Sequence, residues 1–124
     1  MAESIVRNKA FDFAVKIVSL YKYLCDAKHE YVLSKQVLRS GTAICANISE
    51  GLYGQTDPDF IAKMSIALKE ASETEYWLEL LNATNYIDEA VYQEYDKECK
   101  ELMKMLAAIV KKMKEKIDKL RGKR

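Results

Sequence analysis

The stretch QVLRSGTAICANISEG, residues 36–51, decides the fold of this chain. At 100° per residue, a helix through it places apolar side chains on one arc and polar side chains on an adjoining arc. The apolar arc, extended by a turn at the start, contains Leu33, Val37, Gly41, Ile44, Ile48 and Leu52. The polar arc contains Gln36, Arg39, Ser40, Asn47 and Glu50, interleaved with Ala43 and Ala46. Because short side chains let another helix approach closely, the pattern predicts a helix that is contacted on two sides.

The composition indicates one globular domain, residues 1–124, with a basic C-terminal tail at residues 111–124. Hydrophobic residues make up 49% of the chain and charged residues 31%, with four glycines and one proline to interrupt helices. No apolar run approaches the roughly 20 residues that span a bilayer. The N-terminus also lacks the pattern of a signal peptide. We therefore expect no membrane association and a cytoplasmic location.

Hydrophobic periodicity predicts four helices and no strand. Their expected bounds are residues 5–27, 31–52, 58–85 and 88–120. Asp57 is the expected N-cap of the third helix, because Pro58 suits a first helical turn. Short connections between long helices favour antiparallel neighbours, so the expected fold is all-α, an up-down-up-down four-helix bundle.

Two helices carry more apolar surface than one bundle core requires. Apolar residues cover more than half the circumference of the first helix, whereas an outer helix of a monomeric bundle needs a narrower stripe. The third helix has a second apolar arc formed by Ala62, Ile66, Trp77 and Leu80. These surfaces predict that identical bundles assemble into a homo-oligomer, and they identify no other protein partner.

Several polar residues fall where apolar residues are expected. We predict that Arg39, Asn47, Glu50 and Glu73 form a buried polar network that fixes helix order or subunit register. Gln36 and Glu70 belong to the same predicted structural or interface set. Glu101 lies inside the apolar arc of the fourth helix. The simpler alternative places Glu70, Glu73 and Glu101 in solvent or in structural pairs with Lys35, Arg39 and Asn47, since an unpaired buried carboxylate is costly.

An enzymatic interpretation would use these carboxylates to hold Mg²⁺. Glu70-x-x-Glu73 and Glu98-x-x-Glu101 loosely resemble the acidic pairs of all-α nucleotide pyrophosphohydrolases, in which carboxylates on facing helices ligate cations that activate water. The second pair lacks the closing Asp common in that family. No phosphate loop, Walker motif or GxSxG motif accompanies it. We therefore predict no catalytic residue, no cofactor and no metal.

The cysteines do not suggest a site. Cys25, Cys45 and Cys99 are odd in number, far apart and close to apolar stripes. Buried, reduced thiols are the expected state of such residues in a cytoplasmic protein. The single histidine, His29, leaves too few ligands for zinc.

The charge is unevenly distributed. Residues 111–124 hold eight Lys or Arg and two acidic residues, and residues 1–110 hold twelve and seventeen. The tail could therefore contact the phosphates of RNA or DNA, with affinity raised by repetition in an oligomer. The predicted contacts are Lys111, Lys112, Lys114, Lys116, Lys119, Arg121, Lys123 and Arg124. A solvated helix end explains the same residues equally well.

The order of motifs resembles a bacterial family of proteins encoded within intervening sequences of 23S ribosomal RNA genes, whose members are often labelled S23 ribosomal proteins. The residues that carry the resemblance are Gln36-x-x-Arg39-Ser40, Ile44, Ala46-Asn47-Ile48-x-Glu50-Gly51, Phe60, Ile66-Ala67, Glu73, Leu78 and Tyr86-Ile87. The run KEASETEYWLELL resembles a variant within that family. The resemblance spans nearly the whole chain.

This resemblance implies an antiparallel four-helix bundle, commonly a ring-shaped homopentamer, with no known enzymatic activity. A related branch, the accessory proteins of diversity-generating retroelements, forms basic pentamers that associate with reverse transcriptase and nucleic acid. The acidic body of this chain departs from that branch. The leading interpretation is a non-enzymatic oligomeric scaffold or adaptor. The alternatives are a nucleic-acid-binding accessory protein that acts through its tail and, third, an Mg²⁺-dependent nucleotide pyrophosphohydrolase.

Overall fold

The computed structural model describes residues 2–122, and within that range the chain forms four α-helices and no strand. They are α1 (Ala2–Asp26), α2 (Leu33–Leu52), α3 (Asp57–Ala83) and α4 (Glu89–Gly122). The predicted all-α, up-down-up-down four-helix bundle is confirmed. No helix in residues 2–122 is long and apolar enough to cross a membrane.

The bundle is a square arrangement in which consecutive helices pack together and α1 closes on α4. Across the described residues, α1 and α3 do not run side by side, and neither do α2 and α4, so each of these pairs lies on a diagonal. All four helices contribute to one core, whose largest fully buried side chains include Phe13, Ile17, Leu24, Ile44, Ile48, Met64, Leu78, Leu81, Leu102 and Leu106. Burial of one such side chain contributes roughly 1.5–3 kcal/mol. The core therefore supplies most of the stabilisation.

α1 packs tightly against α2 at Gly41. A Cβ atom built on this glycine would lie 2.8 Å from both Cγ1 and Cγ2 of Ile17. Ile17 is fully buried, so its branched side chain occupies the space that a side chain at position 41 would need. The glycine on the apolar arc of α2 thus sets the distance between two helices.

The cap of α3 differs from the sequence prediction. Thr56, not Asp57, is the N-cap: its backbone is extended (φ −137°, ψ 161°), and its hydroxyl oxygen accepts a hydrogen bond from the Asp59 amide at 3.2 Å. Asp57 is the first helical residue, and Pro58 follows in the first turn. The prediction was wrong by one residue because threonine and aspartate both have a side-chain oxygen able to accept this bond.

Side chains also fix the other two connections. Glu30 accepts hydrogen bonds from the amides of Val32 and Ser34, at 3.2 and 2.7 Å, so α2 begins at Leu33 rather than at residue 31. Asp88, the residue before α4, accepts a hydrogen bond from the amide of Val91 in the first turn of that helix, at 2.8 Å. Carboxylates at the starts of both helices satisfy amide groups that lack partners within the helix.

Candidate functional site

The polar groups that the sequence placed in one network form separate contacts. Arg39 on α2 forms ion pairs with Glu73 and Glu70 on α3, the latter at 3.4 Å. The indole Nε1 of Trp77 donates to the same Glu73 carboxylate at 3.2 Å. The Arg39 side chain is 52% exposed, so this cluster lies at the edge of the bundle and not inside it. We call Arg39, Glu70, Glu73 and Trp77 the Arg39 cluster.

The remaining members of the predicted network lie elsewhere, which corrects that prediction. Asn47 donates from its side-chain amide to the carbonyl of Ala43 on its own helix, at 2.8 Å. Glu50 pairs with Lys63 at 3.6 Å, and Gln36 is exposed. Arg39 and Glu50 are eleven positions apart on α2, a rise of about 16 Å at 1.5 Å per residue. That spacing is too long for side chains to bridge, although both residues share an arc in projection.

The two Glu-x-x-Glu pairs face different helices. Glu70 and Glu73 contact Arg39 of α2, whereas Glu98 contacts Lys16 of α1. Glu101 is exposed, with the Lys9 ammonium 3.9 Å away, so its predicted place in the apolar arc of α4 was wrong. Within residues 2–122, no group of three His, Cys, Asp or Glu side chains is arranged to hold a metal ion.

The Glu98 contact is one of two that Lys16 makes. Burial by itself would lower the pKa of Lys16, but hydrogen bonds to Glu94 and Glu98 and their negative charges raise it. The charged ammonium group pairs with one oxygen of each carboxylate, Oε2 of Glu94 and Oε2 of Glu98. This arrangement favours a structural role for the carboxylates of α4.

The seam between α3 and α4 contains polar residues that the sequence analysis missed. Asp96 is buried, with a side chain only 7% exposed, and its Oδ2 accepts from Lys100 at 2.8 Å. Glu75 lies opposite on α3, with Oε2 at 3.8 Å from the same ammonium. Burial and the nearby Asp96 charge raise the pKa of Glu75. Helical periodicity could have indicated the burial of Asp96, because this position lies beside the apolar positions Tyr95 and Cys99 of α4.

A second missed contact links α2 and α3. The hydroxyl of Thr74 donates to the hydroxyl oxygen of Ser40 at 2.9 Å, and both residues are fully buried. Ser40 was assigned to the polar arc of α2. Its small side chain instead lets the two helices approach closely, with its polar group satisfied by Thr74.

The thiols are free, as expected. Cys45 and Cys99 are buried and Cys25 is partly buried. The pKa of Cys99 is raised to about 12, mainly by burial and further by the negative charges of Glu75 and Asp96. Such a thiol is protonated at neutral pH and is a poor nucleophile.

Two apolar stripes lie on the surface, one on α1 and one on α3. The α1 stripe consists of Phe11, Val15 and Val18, exposed by 48%, 53% and 36%. The α3 stripe consists of Ile66 and Tyr76, exposed by 42% and 55%, with the half-buried Trp77 beside them. At 100° per residue the α1 stripe points away from the core face of its helix. On α3, Tyr76 points away from the core, whereas Ile66 and Trp77 lie on the flank nearest α2, where Arg39 contacts Glu73. The two stripes are therefore separate surfaces on different helices.

The basic tail is the last part of α4. Its described cations are all exposed: Lys111, Lys112, Lys114, Lys116, Lys119 and Arg121. Lys116 pairs with Asp57 at 3.4 Å, and in residues 2–122 no other acidic oxygen lies within 4 Å of these cations. Lys123 and Arg124, the last two predicted contacts, lie outside the described residues.

Comparisons with known proteins give one consistent result. The family model described as "23S rRNA-intervening sequence protein" matches residues 2–108. Among solved structures, a protein of the S23 ribosomal protein family from Bacteroides thetaiotaomicron VPI-5482, described as having unknown function, is 50% identical to this chain. The match covers 90% of this chain and 99% of that one, with a TM-score of 0.88. No curated protein matches. The chain therefore belongs to the 23S rRNA-intervening sequence protein family.

Proposed function

We propose that this protein is a non-enzymatic scaffold or adaptor that works as a homo-oligomer in the cytoplasm. The observation that carries the proposal is the pair of unlike apolar stripes on two different helices of one bundle. Exposed apolar patches with aromatic members are typical of protein interfaces. The three free cysteines fit a reducing compartment.

The placement of the stripes favours head-to-tail assembly. The α1 stripe is aliphatic with one phenyl ring, and the α3 stripe is rich in larger aromatic groups. If the α1 stripe of one copy packs on the α3 stripe of the next, every copy uses both surfaces and leaves both available for further copies. Such a heterologous contact forms a closed ring when its rotation closes. We propose a ring of five copies, in agreement with the family resemblance.

The α3 stripe has the features of an interface hot spot. Tyr76 and Trp77 meet edge to face, with ring centroids 4.9 Å apart. Glu73 holds the Trp77 indole by its hydrogen bond, and Arg39 holds Glu73. Tyr, Trp and Arg are the residue types that dominate binding energy at protein interfaces. In this proposal the Arg39 cluster orients the ring of Trp77 toward the neighbouring copy.

The test is the mass in solution by size exclusion with light scattering. The wild type is expected to elute at five times the 14.3 kDa chain mass. Val15→Glu, which places a charge in the α1 stripe, should give a folded species of much lower mass. Ala108→Glu is the matched control, because it adds the same charge at an exposed position of α4. A monomeric wild type, or a Val15→Glu variant of unchanged mass, would reject the proposed interface.

Nucleic-acid binding through the tail is a second candidate, supported by the exposed cations of α4. Its test compares RNA retention at low salt for two triple variants. Lys111→Gln/Lys112→Gln/Lys119→Gln should lose retention. Lys22→Gln/Lys28→Gln/Lys97→Gln, which removes equal charge from exposed positions outside the tail, should keep it. Equal retention by both variants, or none by the wild type, argues against this candidate.

The absence of enzymatic activity is also part of the proposal. Support comes from Arg39 and Lys16, which occupy the carboxylates that an Mg²⁺ site would use. Incubation with Mg²⁺ and mixed nucleoside triphosphates should release no pyrophosphate. Release that depends on Glu70 and Glu98 would contradict the proposal.

A further inference from the structure

The seam between α3 and α4 contains two buried carboxylate oxygens that lack a hydrogen-bond donor in the described residues. Glu75 Oε2 and Asp96 Oδ1 are inaccessible to solvent, and within residues 2–122 neither meets a hydrogen-bond donor. A buried oxygen without a hydrogen-bond donor is unfavourable, and more so when it carries charge. The Glu75 and Asp96 side chains lie within hydrogen-bond reach of each other across the two helices, so one shared proton would satisfy both atoms.

The charged groups around Glu75 and Asp96 do not neutralise the two carboxylates. From α4, Lys100 and Tyr92 face the two carboxylates, together with the protonated Cys99 thiol; from α3, Glu79 adds a further negative charge. Lys100 is the cation here, and its side chain is 59% exposed, so water weakens its effect. Two ionised carboxylates beside one solvated ammonium would leave a net negative charge in a seam where Asp96 is buried and Glu75 partly buried, with side chains 7% and 28% exposed. A like charge on a neighbouring carboxylate disfavours the ionised form.

We propose that Glu75 and Asp96 share a single proton, carried by Glu75, and that loss of this proton as pH rises loosens the α3–α4 seam. The assignment to Glu75 follows from the two distances to Lys100. Asp96 lies 2.8 Å from the ammonium and is its direct ion-pair partner, whereas Glu75 lies 3.8 Å away. A protonated Glu75 then donates to Asp96 Oδ1, and both orphan oxygens become satisfied. The site is a proton-binding pair that makes this seam sensitive to pH.

The direction of the pKa shift agrees with this geometry. Burial first, and then the Asp96 charge, raises the pKa of Glu75 above its ordinary value of 4.5. A carboxyl whose pKa is raised by folding binds its proton more tightly in the folded state than in the unfolded state. Its contribution to stability is therefore complete below the ordinary pKa and is lost as pH rises through the raised pKa.

Glu75→Gln tests the proposal, because the amide donates to Asp96 as the protonated acid does but cannot ionise. The Tm of the variant should be close to that of the wild type near pH 4.5, its advantage should widen as pH rises through the raised pKa of Glu75, and it should persist at higher pH. Glu115→Gln is the matched control, because it removes one carboxylate from an exposed position of α4 away from the pair. Its Tm difference from the wild type should not widen in this way. Parallel pH profiles for wild type and Glu75→Gln would overturn the proposal.

A second measurement uses the unmodified protein. The side-chain carboxyl ¹³C resonance of Glu75 should titrate above the ordinary glutamate pKa of 4.5. If it titrates at or below that value, Glu75 holds no shared proton and the inference fails, even where the Gln variant does not fold.

Discussion

At the scale of single residues, Gly41 shows how one missing side chain sets a helix contact. Gly41→Ala would raise the helix propensity of α2 by roughly 0.8–1 kcal/mol. The added Cβ would nevertheless lie 2.8 Å from two carbons of Ile17, and overpacking of this kind costs about 1–3 kcal/mol. We expect a net loss of unfolding free energy in urea denaturation. In an Ile17→Ala background the same change should become neutral or stabilising, and an unchanged effect there would show that Ile17 is not the obstacle.

The Arg39 ion pairs are expected to contribute less to the free energy of unfolding of the isolated bundle than a buried ion pair would. Its guanidinium is half-exposed, and exposed pairs contribute about 0.2–1 kcal/mol. The Glu70 side chain, only 17% exposed, would lose a partner in Arg39→Ala. We therefore expect a loss of about 1 kcal/mol in urea denaturation of the monomer, reduced in 1 M salt. A Val15→Glu background supplies that monomer. A loss of about 3–5 kcal/mol there, the cost typical of breaking a buried pair, would contradict the exposed placement.

At the scale of elements, the start of α3 depends on one hydroxyl. Thr56→Ala removes the oxygen that accepts from the Asp59 amide, and loss of an N-cap costs about 0.5–2 kcal/mol. Thr56→Ser keeps that oxygen and should retain most of the stability. The same experiment on Asp57, which lies inside the first turn, separates the two candidate caps. If Asp57→Ala were the more destabilising change by urea denaturation, Asp57 rather than Thr56 would be acting as the cap.

The elements were predictable from the sequence because their signals are local and repeated. Apolar spacing defined α1 to α4 within a few residues, and Pro58 marked the start of α3. The contacts between polar side chains were not predictable to the same degree. Projection onto a helical wheel brings Arg39 and Glu50 onto one arc but discards the rise between them, and it cannot show which neighbouring helix a carboxylate meets. The burial of Asp96 could not be predicted because a single acidic residue beside an apolar stripe does not reveal its contacts. The carboxylate that it faces, Glu75, lies on another helix.

At the scale of the whole molecule, the two stripes make a prediction that distinguishes head-to-tail from symmetric assembly. Val15→Glu blocks the α1 stripe and leaves the α3 stripe intact, whereas Ile66→Glu does the opposite. If the α1 stripe of one copy binds the α3 stripe of the next, each variant alone should be monomeric. An equimolar mixture should form dimers, because one intact surface remains on each partner and the blocked surfaces stop further growth.

Symmetric contacts would give a different pattern in the same measurement. In symmetric assembly, the α1 stripe packs on the α1 stripe of another copy, and the α3 stripe packs on another α3 stripe. A variant that keeps one stripe intact can then still dimerise alone, and mixing the two variants changes nothing. Light scattering on the separate variants and on the mixture distinguishes the two geometries, with Ala108→Glu again as the control for an added surface charge. Dimers that appear only on mixing would mean that one copy presents two unlike surfaces, the condition a ring requires. Dimers in either separate sample would instead limit assembly to pairs through that stripe and remove the basis for a five-membered ring.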